Sequence, residues 1–135
     1  MDDISIQKLA KRILVIDDDE LILKTLKRLL TKEGYKITIV SNGAKALSEI
    51  TQRDFDLIIS DLKMPEMDGV ETLKKIRDYL SSNGKKAVPE IIITGYAKEK
   101  IYQDALKLKA AAYIDKPFDM KPLLEAIHNL TGSQT

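Results

Sequence analysis

Cysteine is absent from all 135 residues, which excludes disulfides and thiolate metal sites and fits a reducing compartment. Long apolar runs are absent too, and nothing approaches the ~20 residues that cross a bilayer. The first twelve residues, MDDISIQKLAKR, hold two acids and no apolar core, unlike a signal peptide. Charge of one sign is not in excess: 22 basic and 21 acidic residues leave +1, without the electrostatic footprint of a nucleic-acid binder. Internal repeats and low-complexity segments are also missing. These absences predict a soluble, cytoplasmic protein with no membrane partner and no direct nucleic-acid binding.

What is present is a globular balance, 44% hydrophobic and 32% charged, on a chain long enough for one domain. Strand and helix signals alternate along it. RILVI (12–16) is a short β-rich run, and 20–32 then sets Leu23, Leu26, Leu29 and Leu30 at helical spacing before Gly34. KITIV (36–40) alternates like an edge strand, and 42–51 reads as a helix with Ala46, Leu47 and Ile50 inward. DLIIS (56–60) is apolar on both faces and ends at Asp61. After MPEMDG a helix is predicted over 70–80, closed by loop residues 81–84.

PEIIIT (89–94) gives the next buried strand, followed by an amphipathic helix through Ile101, Ala105 and Leu108. AAYI (111–114) is a fifth strand. Asp119 is placed to cap a last helix through Leu123, Leu124, Ile127 and Leu130. Five such pairs imply an α/β fold: a doubly wound, five-stranded parallel sheet with helices on both faces, order 2-1-3-4-5. Its ligand crevice is expected outside the carboxyl ends of the first and third strands. The domain is expected over 11–130, with 1–10 and 131–135 as flexible ends.

Chemistry gathers at those strand ends. ILVIDDDEL (13–21) runs a buried strand straight into Asp17, Asp18, Asp19 and Glu20. Two carboxylates about 4 Å apart repel by roughly 4 kcal/mol at an effective dielectric near 20, so a helix N-terminus, water or a cation must make the cluster tolerable. Asp19 and Glu20 suit the start of the first helix. The third strand delivers Asp61, the fourth Thr94 and the fifth Lys116. Singly, Asp61 also fits a turn residue, Thr94 a strand end and Lys116 a solvated charge. Together, three carboxylates and one ammonium call for a further positive partner, and a hard divalent ion such as Mg2+ suits oxygen donors.

VIDDDE, DLKMPEMDG from Asp61, IIITGYA and DKPF, in this order and spacing, resemble a response regulator receiver domain over about residues 11–130. The resemblance implies the flavodoxin-like topology and two-component signalling. It makes Asp61 the phosphoacceptor, with Asp17, Asp18, Asp61 and the backbone carbonyl of Lys63 holding Mg2+. Thr94 is then the hydroxyl that senses the phosphoryl group, Lys116 its ionic partner, and Tyr113 the aromatic that accompanies switching. It implies a histidine kinase or phosphotransfer domain as donor, and a partner or output domain on the face of the fourth helix, fifth strand and fifth helix. Lys98, Tyr102, Lys109 and Tyr113 are expected to offer exposed contacts there. A cis bond between Lys116 and Pro117 is implied as well.

The residues around the acids leave other readings open. Lys63 is expected to set a cation beside the pocket, Gly95 to leave it accessible and Tyr96 to shield it. Pro65 and Gly69 shape the loop, Met64 and Met67 pad it, and His128 reads as a packed or surface residue. A Mg2+-dependent phosphohydrolase would use Asp61 as transient nucleophile, but it often carries an acid where this chain has Lys63. A flavin-binding domain of similar topology would place phosphate against an acidic first loop, which is electrostatically unfavourable.

Overall fold

Residues that alternate between the two sides of a strand, followed by stripes at helical spacing, can bury both patterns only by layering helices on a sheet. The computed structural model describes residues 10–95 and 98–132; Tyr96 and the ends 1–9 and 133–135 lie outside the described residues. Five strands, β1 (Arg12–Ile16), β2 (Lys36–Val40), β3 (Leu57–Ser60), β4 (Glu90–Thr94) and β5 (Ala112–Asp115), pair in parallel in the order β2-β1-β3-β4-β5. Five helices connect or follow them: α1 (Glu20–Lys32), α2 (Gly43–Gln52), α3 (Gly69–Ser82), α4 (Lys100–Leu106) and α5 (Met120–Thr131). The expected order and layering hold, and the strand order reverses beside β1, opening the crevice at its carboxyl end.

The sheet divides two cores. Ile13, Val15, Leu57 and Ile59 face α1 and α5, against Leu23, Leu26 and Ile127. Leu14, Ile16, Ile58 and Ile92 face α2, α3 and α4, against Ile50, Leu73, Ile76 and Ala105. Each such side chain contributes about 1.5–3 kcal/mol by burial. Period-2 alternation on the strands and period-3.6 spacing on the helices therefore fix which side each connection crosses.

Several element ends differ from expectation, each for a local reason. Helix α3 starts at Gly69 and runs to Ser82, because Asp68 caps it by accepting from the Glu71 N–H at 2.8 Å. Its far end closes at Asn83, whose side chain donates to the Tyr79 carbonyl at 2.7 Å, before Gly84 at φ 65°. Helix α4 stops at Leu106 rather than reaching Leu108: the N–H groups of Lys107, Leu108 and Lys109 reach back three residues, and Lys109 turns left-handed at φ 52°. Leu108 is buried all the same. Asp119 occupies the N-cap position of α5, yet its side chain makes no cap hydrogen bond. Helix α5 extends to Thr131, one residue past the expected domain edge, where the Thr131 hydroxyl donates to the Ile127 carbonyl.

The loop from β3 to α3 folds back on itself. The Gly69 N–H donates to the Leu62 carbonyl at 2.6 Å, and a Cβ at Gly69 would lie 2.1 Å from the Asp61 carbonyl oxygen. Only glycine lets the start of α3 approach the backbone of residue 61 so closely. Gly69→Ala is expected to lower the unfolding free energy by about 1–3 kcal/mol through this overlap, read as a lower urea midpoint at unchanged m-value.

Candidate functional site

Backbone ladders bring the predicted residues to one sheet edge. Past β1, the Asp17 N–H donates to the Val40 carbonyl at 3.2 Å; past β3, the Asp61 N–H donates to the Ile16 carbonyl at 2.9 Å. Past β5, the Lys116 N–H donates to the Thr94 carbonyl at 3.0 Å. Each residue is therefore held by the strand beside it, and its side chain leaves the sheet at a fixed place.

The side chains meet. Lys116 Nζ donates to Asp17 Oδ2 at 2.9 Å and to Asp61 Oδ2 at 3.1 Å. Asp61 Oδ1 accepts from the Leu62 N–H at 2.7 Å, and Asp17 Oδ1 accepts from the Asp19 N–H at 2.9 Å. Asp19 in turn caps α1, accepting from the Leu21 and Ile22 N–H groups. Asp17, Asp61 and Thr94 are buried, while Asp18 is exposed. Carboxylate oxygens of Asp17, Asp18 and Asp61 lie within 4.8 Å of one another. The peptide bond between Lys116 and Pro117 is cis, as the resemblance implied.

The pocket's charges do not balance. Among the described residues three carboxylates face one ammonium, so two negative charges remain uncompensated at the crevice. Burial pushes the Asp61 carboxyl above its ordinary range and the charge of Asp17 adds to this, against the pull of Lys116 and the Leu62 N–H. Burial works against the Lys116 ammonium, but the hydrogen bond and charge of Asp17, joined by those of Asp61, outweigh it and lift its pKa. Oxygen donors of excess negative charge, two buried and one reaching solvent, fit a hard cation that keeps part of its water shell.

The Lys63 ammonium pairs with Glu99 at 2.5 Å. One expectation needs correction. Tyr113 and Tyr102 are half-buried rather than exposed, packing edge to face with ring centroids 6.1 Å apart. The Tyr113 hydroxyl donates to the Ala105 carbonyl at 2.8 Å and accepts from the Ala110 N–H at 3.0 Å. Lys98 and Lys109 are exposed as expected. Met64 packs against the α2–α4 core, and His128 stacks on Tyr35 with ring centroids 5.9 Å apart. Tyr96, expected to shield the pocket, lies outside the described residues.

Glu99 went unnoticed in the sequence, since nothing local marks an acid on one loop as the partner of a lysine on another. Gly69 carried a signal, closing MPEMDG just before a helix, but its contact with the Asp61 carbonyl needs coordinates.

Because burial raises the pKa of the Asp61 carboxyl in the folded protein, stability that its protonated form contributes is lost as pH rises through the folded pKa. Asp61→Asn is accordingly expected to stabilise the protein at neutral pH, without divalent ions, by on the order of 1 kcal/mol. The gain should shrink as pH falls through the acidic range, as paired thermal melts of the two proteins would read.

Comparison with known proteins agrees with this arrangement. The model of the response regulator receiver domain family matches residues 13–128. The transcriptional regulatory protein ZraR of Klebsiella oxytoca is 39% identical over 111 residues, 82% of this chain but 24% of that protein. The chain thus spans about a quarter of the length of the first curated relatives it matches. Sporulation initiation phosphotransferase F of Bacillus subtilis is 33% identical over 117 residues, 87% of this chain and 90% of that protein. Among solved structures, the response regulator protein TrrA of Thermotoga maritima, in complex with Mg2+ and BeF, aligns at TM-score 0.75 and 33% identity, covering 89% of this chain and 98% of that one. With the five-stranded topology and the acid and lysine pocket already in place, the match over nearly the whole chain makes it a member of the response regulator receiver domain family, the modules that accept a phosphoryl group on an aspartate in two-component signalling.

Proposed function

We propose that Asp61 is the phosphoacceptor, taking its phosphoryl group from a phosphohistidine on a histidine kinase or phosphotransfer domain. The observation that carries this reading is the buried Asp61 carboxylate, 3.1 Å from Lys116 Nζ at the mouth of the crevice. Its oxygen Oδ2 bonds to phosphorus as the bond from phosphorus to the imidazole nitrogen breaks, and the imidazole leaves with that electron pair. Lys116 orients Oδ2 and stays close to the new negative charge.

Asp17, Asp18 and Asp61, with the backbone carbonyl of Lys63, would hold Mg2+. When bound, the ion would offset the two uncompensated charges and those of the phosphoryl oxygens. Thr94, buried at the end of β4, would donate to the phosphoryl group, and Tyr113 would follow it. Movement of Tyr113 must break its two hydrogen bonds to Ala105 and Ala110, so the end of α4 would move with it. The consequence is a changed α4-β5-α5 face that controls a downstream partner or output domain.

In this reading the domain, residues 11–130, turns nothing over except its own phosphorylation and slow dephosphorylation. It works in the cytoplasm, and no helix among the described residues is long and apolar enough to cross a membrane. Incubation with Mg2+ and acetyl phosphate is expected to add one phosphoryl mass, absent from Asp61→Asn and reduced at least tenfold in rate in Asp18→Asn, on the order of one lost ligand. Phosphate mapped to another residue, or the same gain in Asp61→Asn, would refute the assignment.

A further inference from the structure

The ion pair between Lys63 and Glu99 joins the two loops that leave the carboxyl ends of β3 and β4. Lys63 stands two residues beyond Asp61, in the loop that leaves the carboxyl end of β3 beside the acidic crevice. Glu99 occupies the residue before α4, where a side chain could cap the helix, yet it makes no cap hydrogen bond. Its carboxylate faces Lys63 instead, at 2.5 Å, with both side chains nearly half exposed, 47% and 46%. A charge so placed is close enough to affect the pocket and wet enough to exchange partners.

From this we propose that Glu99 is a positioning residue for phosphodonor capture: by holding the Lys63 ammonium, it withholds positive charge from the rim through which an anionic donor reaches Asp61. The inference rests on Asp61 being the acceptor. The crevice already carries two uncompensated negative charges, so an approaching phosphate meets repulsion until cations offset it. A rim cation raises the local concentration and encounter rate of an anion, whereas a neutralised one does so far less. The transfer step needs no further reactant: an Asp61 oxygen bonds to phosphorus, and the bond from phosphorus to the donor's carboxylate oxygen breaks. Acetate departs with the electron pair when acetyl phosphate is the donor. Glu99 touches none of these atoms and acts chiefly through Lys63.

Initial phosphorylation rates against acetyl phosphate concentration, at fixed Mg2+ and read by intact mass, test this in the whole chain. Glu99→Gln is expected to lower the half-saturating donor concentration about two- to fivefold, the span a half-exposed ion pair can hold back, with the maximal rate unchanged. Lys63→Gln, which keeps the backbone carbonyl, should raise it, and Glu99→Gln added to Lys63→Gln should then lower it clearly less than in the wild-type background, since only the carboxylate's own repulsion is removed. Glu99→Asp should return the wild-type value. An equal effect of Glu99→Gln with and without Lys63, a change in maximal rate only, or no change in the wild-type background would each overturn the inference and leave the role of Asp61 standing. Wild-type protein that gains no phosphoryl mass would instead remove the acceptor assignment, and this inference with it.

Discussion

One ammonium shared by two buried carboxylates is the constraint around which the crevice is organised. Lys116 reaches both Asp17 and Asp61, tying the carboxyl ends of β1, β3 and β5 through side chains where the backbone ladder has run out. Without it, two ionised acids in a largely dehydrated cleft would repel by several kcal/mol, on the scale of roughly 4 kcal/mol at 4 Å. With it, the repulsion is reduced and not abolished, as the raised carboxyl of Asp61 records. The pocket is thus held together while remaining short of positive charge. A site whose acids were fully neutralised by its own ammonium would have no electrostatic reason to accept a metal.

Most of this was legible in the residues because the underlying rules are local and periodic. The β1 and α1 limits, Arg12–Ile16 and Glu20–Lys32, follow from a β-branched run meeting Asp19, a short side chain that satisfies the first free N–H groups of a helix. Sheet order and crevice position follow from handed crossovers, and the four motifs are simply what stands where the strands end. What was illegible depends on distant partners. Asp119 sits where a cap belongs and does not act as one, and α4 ends early because its last turn tightens before Lys109 turns left-handed. Glu90 is an acid inside an apolar strand, buried beside Arg77 of α3, a pairing that no spacing rule announces.

The tyrosine on β5 illustrates the same limit from the functional side. Its type and position suggested an exposed contact residue, whereas its hydroxyl is bound at both polar functions to the backbone that closes α4. A contact surface and a mechanical fastening make different demands on one side chain. The fastening makes α4, seven residues long and ended by a tightened turn, the segment whose placement depends most directly on that ring.

The two cores on opposite sides of the sheet carry a consequence for how the molecule can vary. Neighbouring residues of one strand, such as Ile58 and Ile59, answer to different sets of packing partners although they are bonded to each other. The layer formed by α1 and α5 can accumulate substitutions suited to its own environment without disturbing the interior beneath α3 and α4. Lineages descended from such a chain are free to diversify one side while the other is kept.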